Sequence, residues 1–265
     1  GNREGIRAVA GNRWAMQASP WIQALRTGPC WLFLGILVIG CSESPAPIAE
    51  LSGQTMGTSY RIKLSPAPDE DQRTMLQQEV ESRLEAINVQ MSTYRSDSAL
   101  MRFNQARTTE WLAVPGSLVE LVRRAATISR LSEGRYDITV GPLVDLWGFG
   151  GEGPRGSPPP AADIAQTLAR IGYQHLEARE SPPALRKAVP DLQLDLSSIA
   201  KGWAVDELAR LLHSRGYESF LIEIGGEVRA QGTKVSGQPW RIAVEQPLPG
   251  QRTVQGTIEV KNFAV

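Results

Sequence analysis

The chain has 265 residues, 28 basic against 28 acidic side chains for a formal charge of zero, 42% hydrophobic residues and 6% aromatic ones. That is enough apolar material for one substantial core, in one or two domains. Balanced charge supplies no basic stripe to track phosphates, so nucleic acid is excluded as an expected partner.

The first informative stretch is the apolar run Trp31–Gly40, preceded by Arg26 and ended by Cys41-Ser42-Glu43-Ser44-Pro45. About ten apolar residues fall short of the ~20 that cross a bilayer, but they suit the hydrophobic centre of a signal peptide. The plainer alternative is a short buried core segment. Val38-Ile39-Gly40-Cys41 resembles a bacterial lipobox, which makes Cys41 the expected lipidation site after cleavage before it. Met16 lies a signal-peptide length ahead of Cys41, so residues 1–15 read as an over-long start and 1–41 as the leader. Only two cysteines occur and Cys30 lies in the leader, so the remaining domain is expected to form no internal disulfide. Losing residues 1–41 removes more arginine than acid and leaves a mildly acidic remainder. Residues 42–50, with Pro45 and Pro47, read as a tether to a domain over 51–265.

Leu51–Thr58 reads as a small-residue turn before a strand, Ser59–Leu64, in which Tyr60, Ile62 and Leu64 share a face. Asp69-Glu70-Asp71 places acid at a helix start, and Leu76, Val80, Leu84, Ile87 and Met91 mark that helix's buried face. The polar patch Met91–Ser98 follows, with Tyr94 as either a partly packed loop residue or a ring-stacking one, and then a short helix, Ala99–Asn104. Ser117 is the expected cap of a helix carrying Leu118, Leu121, Val122, Ala125, Ile128 and Leu131, with Gly134 just past its end. Gly134–Gly150 reads as a strand start and then a glycine-punctuated loop whose Trp147 and Phe149 either pack as a lid or line a planar ligand.

Glu152–Ala161 is a Gly- and Pro-rich surface loop before a helix marked by Ile164, Leu168 and Ile171. His175, in a strand-like piece, and His213, on a helix flank, are the only histidines and read as structural. Leu185–Val189 and Leu192–Leu196 flank Pro190-Asp191 as a hairpin. After Leu196 the alternation changes to helical spacing through Ile199, Trp203, Leu208, Leu211 and Leu212. Asp195, Ser198 and Lys201 thus fall at a strand-to-helix junction, whose free amides favour anions. Phe220–Ile224 is a buried strand interrupted by Gly225-Gly226, read as a bulge or a close approach to a ligand, and resumed by Glu227–Gln231. Trp240–Glu245 and Thr253–Lys261 are further strands. Strands in neighbouring runs between separate helices favour α+β, with mixed, largely antiparallel sheets and flanking helices.

At the junction a carboxylate, a hydroxyl and an amine suit a phosphate, a metal–phosphate pair or an activated serine. Ser198-Ile199-Ala200-Lys201 fits S-x-x-K, and Ser96-Asp97-Ser98 approximates S-D-N, which keeps a serine acyl-enzyme open as one alternative. Lys234-Val235-Ser236-Gly237 is one residue too long for the companion K-T-G element.

Six segments nevertheless occur in the order of one family. They are Gln54–Thr58, Met91–Tyr94 with Asn104, Tyr136–Val144, Trp147–Gly150, Leu194–Gly202 and Ile224–Gly226. From about Gln54 to its last residue the chain resembles the FAD:protein FMN transferases, also called thiamine-biosynthesis lipoproteins (ApbE). The resemblance implies an enzyme using Mg²⁺ and FAD that transfers FMN to a Thr hydroxyl of an acceptor protein in a membrane redox complex, releasing AMP. It implies FAD contacts at Met56, Tyr94, Arg135, Tyr136, Asp137, Asp195 and Lys201, a catalytic role for Asp195 and Lys201, and Ser198 as a Mg²⁺ ligand. With the lipobox it implies a lipid anchor on the periplasmic face of a bacterial membrane. Family members continue beyond the position of Val265 with further metal ligands, so the chain is expected to lack the C-terminal part of the domain. A non-catalytic flavin-binding lipoprotein is the other alternative.

Overall fold

The computed structural model describes residues 48–150, 153, 156–247 and 253–265, all within one compact unit. The leader, Cys41 and all but the end of the tether lie outside the described residues, as does part of the loop that starts at Glu152.

The central feature is a five-stranded antiparallel sheet in which Ala49–Thr55, Thr58–Leu64, Phe220–Ile224, Glu227–Gln231 and Phe263–Ala264 lie side by side in that order. Strands β1 (Ala49–Thr55) and β2 (Thr58–Leu64) form its first hairpin. Tyr60, Ile62 and Leu64 are all buried on one face, as their alternation requires. The segment read as a turn is mostly strand β1, and the turn shrinks to Met56-Gly57, with φ of +49° and +72°. Consecutive positive φ values give the twist that a two-residue hairpin loop needs.

Helix α1 (Glu70–Met91) begins at Asp69, whose Oδ1 accepts the Gln72 amide at 2.8 Å. Its buried residues are Leu76, Val80, Leu84, Ile87 and Met91, the five marked by periodicity. Helix α2 (Ala99–Gln105) is capped by the buried Ser98, which accepts from the Met101 amide and donates to the Ser92 carbonyl. Strand β3 (Leu112–Ala113) precedes helix α3 (Gly116–Leu131). That helix starts after Pro115 and has no side-chain cap; the Ser117 hydroxyl bonds the Gln90 side chain instead. Leu118, Leu121, Val122 and Ala125 are buried, but Ile128 and Leu131 face out, Leu131 at 81% exposure, because the covered stripe ends before the last turn.

Gly134–Gly150 contains no strand. Ile138 is its one buried apolar side chain, and Pro142 in the first turn favours the short helix α4 (Gly141–Leu146). Helix α5 (Ala161–Leu168) and a 3₁₀ turn at Tyr173–His175 lead to β4 (Leu176–Arg179) and β5 (Ala184–Lys187), which pair with each other, β5 lying between β4 and β3. The hairpin in this region is therefore β4–β5, not one about Pro190-Asp191. Leu192–Leu196 is extended but unpaired, with Leu192, Leu194 and Leu196 buried. Alternation there records burial, not a ladder.

Helix α6 (Ala200–Ser214) packs with α1 against the sheet and buries Trp203, Leu208, Leu211 and Leu212. Ser198 lies just before this helix and Lys201 in its first turn. Strands β6 (Phe220–Ile224) and β7 (Glu227–Gln231) pair as a hairpin, so Gly225-Gly226 is its tight turn and not a bulge. Strands β8 (Trp240–Glu245) and β9 (Val254–Val260) make a separate ribbon, and β10 (Phe263–Ala264) closes the main sheet beside β7. All pairings among the described residues are antiparallel, in agreement with the α+β reading. No helix among the described residues is long and apolar enough to cross a membrane.

Candidate functional site

The pairing of β2 with β6 brings two tight turns to the same end of the sheet. The Gly225 amide donates to the Ser59 carbonyl at 3.2 Å, and Gly225 lies against Thr58. Around this end gather the last turn of α1, the segment after it and the first turn of α6. They enclose a pocket of about 160 Å³ lined by Met56, Ile87, Asn88, Met91, Ser92, Thr93, Tyr94, Ser197, Ala200 and Lys201. Pockets that swallow a drug-sized ligand run to roughly 300–1,000 Å³, so this one takes only part of a dinucleotide. Met56 sits here in the left-handed region, which costs about 1 kcal/mol for a residue with a β-carbon. Tyr94 is 80% exposed at the rim, an open aromatic face beside apolar Met56 and Met91.

Lys201 does not reach Ser198. Its Nζ donates to the Gly225 carbonyl at 2.9 Å and lies 3.7 Å from Glu227 Oε1. The Ser198 hydroxyl is exposed and pairs with the Tyr136 hydroxyl at 3.1 Å. An S-x-x-K pair needs the lysine on the serine, so this geometry does not favour an acyl-enzyme. The S-D-N-like residues are likewise engaged elsewhere: Ser98 caps α2, and Asp97 pairs with Arg95. That pairing holds the Asp97 carboxyl below its usual range.

Asp195 accepts the Ser197 amide on Oδ1 at 2.7 Å, closing a small turn ahead of α6, while its own amide donates to the Ile138 carbonyl at 2.7 Å. The Ile199 and Ala200 amides both bond the Leu196 carbonyl and the Trp203 amide bonds the Ile199 carbonyl, so these three do not serve the anion seat expected at the helix start. Asp137 has both carboxylate oxygens engaged inside the chain. Oδ1 accepts from the Thr139 amide and hydroxyl and Oδ2 from the Tyr173 amide, each at 2.8 Å. It ties the Tyr136 loop to the turn before β4. Arg135 is exposed on that loop.

Of the residues read from the sequence, Met56, Tyr94 and Lys201 thus line one pocket. Ser198, Tyr136 and Asp195 adjoin it through Ser197; Arg135 and Asp137 belong to the Tyr136 loop. Glu227, Asn88, Thr93 and Ser197 were not foreseen. Glu227 stood next to the Gly-Gly pair, but only the hairpin turn carries it back to Lys201. Among the described residues no group of three or more His, Cys, Asp or Glu is placed to hold a metal. Near Ser198 the oxygen donors are its own hydroxyl, the Tyr136 hydroxyl and the Asp195 carboxylate, fewer than Mg²⁺ takes, so the side-chain oxygens of the described residues do not make a complete magnesium site. A larger depression of about 490 Å³ lies on α3 and β4 and contains none of these residues. Its Arg124 and Arg123 pair with Glu120 and Glu180.

The chain is similar in sequence and in fold to known proteins. The ApbE family model matches residues 56–265. A Vibrio cholerae protein named FAD:protein FMN transferase is 45% identical over 230 residues, covering 87% of this chain and 68% of its own length. A Salmonella typhimurium protein of the same name is 36% identical over 242 residues, covering 88% and 69%. Among solved structures, the flavin transferase ApbE of Vibrio cholerae superposes with a TM-score of 0.75 at 45% identity, over 83% of this chain and 71% of that one. The ApbE protein of Thermotoga maritima gives 0.72 at 27% identity, over 82% and 69%.

Proposed function

This chain belongs to the ApbE family, and from that premise we propose that it is an FAD:protein FMN transferase. The observation that carries the reading is the convergence of Met56, Tyr94 and Lys201, distant in sequence, on one pocket beside Ser198 and Tyr136. A partly apolar slot with an open tyrosine at its rim suits a planar ring, and a lysine with a helix start suits a diphosphate.

In the finer reading FAD is the donor, a Thr hydroxyl of a protein in a membrane redox complex is the acceptor, and AMP leaves. The Thr oxygen bonds the FMN phosphorus as the phosphorus–oxygen bond to AMP breaks, and the Thr proton passes to a base. Asp195, three residues before Ser198 and with Oδ1 already accepting the Ser197 amide, is the carboxylate assigned that role. Lys201, steadied on the Gly225 carbonyl, offsets phosphate charge as the leaving group departs. Magnesium would supply Lewis-acid polarisation of the diphosphate. The Ser198 hydroxyl is one oxygen it would take, with substrate phosphates and water among the rest. We further propose that Cys41 carries a lipid anchor on the periplasmic face of a bacterial membrane, a reading supported by the Trp31–Cys41 pattern.

The test is incubation with FAD, Mg²⁺ and a Thr-bearing acceptor, following flavin fluorescence on the denatured acceptor and AMP in solution. Covalent flavin with matching AMP is the expected result. FAD bound without AMP would instead indicate a flavin-binding protein, and labelling of Ser198 by a fluorophosphonate would revive the acyl-enzyme.

A further inference from the structure

Lys187 is the one lysine among the fully buried residues, at 0% exposure, and no carboxylate lies within ion-pair distance of it among the described residues. Its ammonium donates to the carbonyls of Phe103 at 3.1 Å, Asn104 at 3.3 Å and Leu192 at 3.0 Å, and sits 5.0 Å from the Phe103 ring. A lone buried cation is costly, and such a cage of carbonyls is what makes it tolerable. Beside it the buried side chain of Asn104 donates to the Leu194 carbonyl at 2.9 Å and accepts the Leu194 amide at 2.8 Å. These are the two bonds a neighbouring strand would make. Leu192–Leu196 has no such neighbour, so side chains from α2 and β5 stand in for the ladder.

We infer that Asn104 and Lys187 form a buried clamp that sets the register of Leu192–Leu196 and thereby positions Asp195 and Ser198 at the candidate site. The inference rests on the function proposed above for what those residues face. Leu192, Leu194 and Leu196 point into the core, which sends Gln193 and Asp195 the other way. A slip of one residue would turn Asp195 inward and a leucine toward the ligand. Both bonds to Leu194 come from one amide, so a single side chain holds the middle of the segment, between the Leu192 carbonyl on Lys187 and the Asp195 amide on the Ile138 carbonyl. Neither clamp residue is among those lining the pocket, and both are positioning residues.

The experiment uses the whole chain with Asn104→Ala, Asn104→Asp and Lys187→Met. Amide hydrogen exchange is read at Leu192–Ser198 and, for reference, at the β1–β2 hairpin, while the affinity for FAD is read by flavin fluorescence. Losing a buried hydrogen bond worth about 1.4 kcal/mol should speed exchange at Leu194 about tenfold and weaken FAD binding by a similar factor, with the hairpin unchanged. Asn104→Asp, which keeps the acceptor for the Leu194 amide, should fall between wild type and alanine, and it carries the comparison if the alanine variant does not fold. An even rise of exchange across the domain would reduce the clamp to a general core element and overturn the inference. So would a loosened segment with unchanged FAD affinity. A wild-type chain that ignores FAD would instead refute the function, and the exchange pattern would then decide the clamp alone.

Discussion

Replacing Gly225 by alanine tests how closely the two turns of the site are fitted. Gly225 and Gly226 both have positive φ, +52° and +97°, so a β-carbon at either position costs about 1–2 kcal/mol in backbone conformation. Their surroundings differ. A β-carbon on Gly225 would lie 2.7 Å from Thr58 Cγ2, 3.1 Å from its hydroxyl and 3.3 Å from Lys201 Cδ, whereas one on Gly226 would meet nothing within 4 Å. Thr58 is β-branched and stiff at χ1, so it cannot swing aside cheaply. Overpacking of this kind adds about 1–3 kcal/mol. Gly225→Ala should therefore lose roughly 2–5 kcal/mol in urea denaturation and Gly226→Ala only about 1–2 kcal/mol. The clash should also displace the carbonyl that holds Lys201, so Gly225→Ala should weaken FAD binding more than Gly226→Ala does. Thr58→Ser removes the closest atom and should recover part of the Gly225→Ala loss in a double-mutant cycle. Equal losses at the two glycines, or no recovery with Thr58→Ser, would refute the contact and the reasoning built on it.

Four further expectations follow from single residues. Gly53→Ala would put a β-carbon 2.6 Å from Cε1 of the buried Tyr60 ring, whose hydroxyl is held by Gln77 at 2.7 Å, and should cost about 1–3 kcal/mol; a neutral result in urea denaturation would show that the ring moves. Burial, and then the charge of Glu81, raises Tyr60 above its ordinary value of 10.0, and burial does the same for Tyr217. The unfolded chain then ionises first, so stability present below pH 10.0 falls as the pH rises beyond it, and Tyr60→Phe should flatten that decline in alkaline unfolding curves. Lys187 behaves oppositely: burial lowers it from 10.5, so folding should strengthen as the pH rises toward that value, and Lys187→Met should lack the rise. Tyr94→Ala should leave the urea midpoint nearly unchanged, because the ring is exposed, yet weaken FAD binding by about 0.5–1.5 kcal/mol of lost stacking. An unchanged affinity in a fluorescence titration would remove Tyr94 from the site.

Periodicity was informative wherever one face meets the core. All five marked positions of α1 are buried, and so are Tyr60, Ile62 and Leu64 in β2. It failed where burial and pairing part company. Leu192, Leu194 and Leu196 alternate like a strand and bury like one, but a side-chain amide replaces the partner strand. Strand β1 was hidden because Ser52, Gly53 and Gln54 are small or polar and leave little alternation to read. At Ser117 a good capping residue was outranked by Pro115 two positions earlier. The site residues were visible as motifs, but their grouping was not, since Met56 and Lys201 meet only because β2 pairs with β6. Partners such as Gly225 and Glu227 for Lys201 depend on a hairpin turning back, and no local pattern encodes that.

The pairing of β2 with β6 also sets a schedule for synthesis. Leu64 lies opposite Phe220, so the ribosome must add roughly 150 residues before β2 gains its second neighbour, a wait of roughly 10–30 s at typical elongation rates. Through that interval the β1–β2 hairpin and the apolar face of α1 are out of the exit tunnel without the strand and helix that cover them. An open strand edge beside a bare hydrophobic stripe is the kind of surface holdase chaperones recognise. The nascent chain thus makes its greatest demand on the cell before the last strands that shape its pocket have been translated.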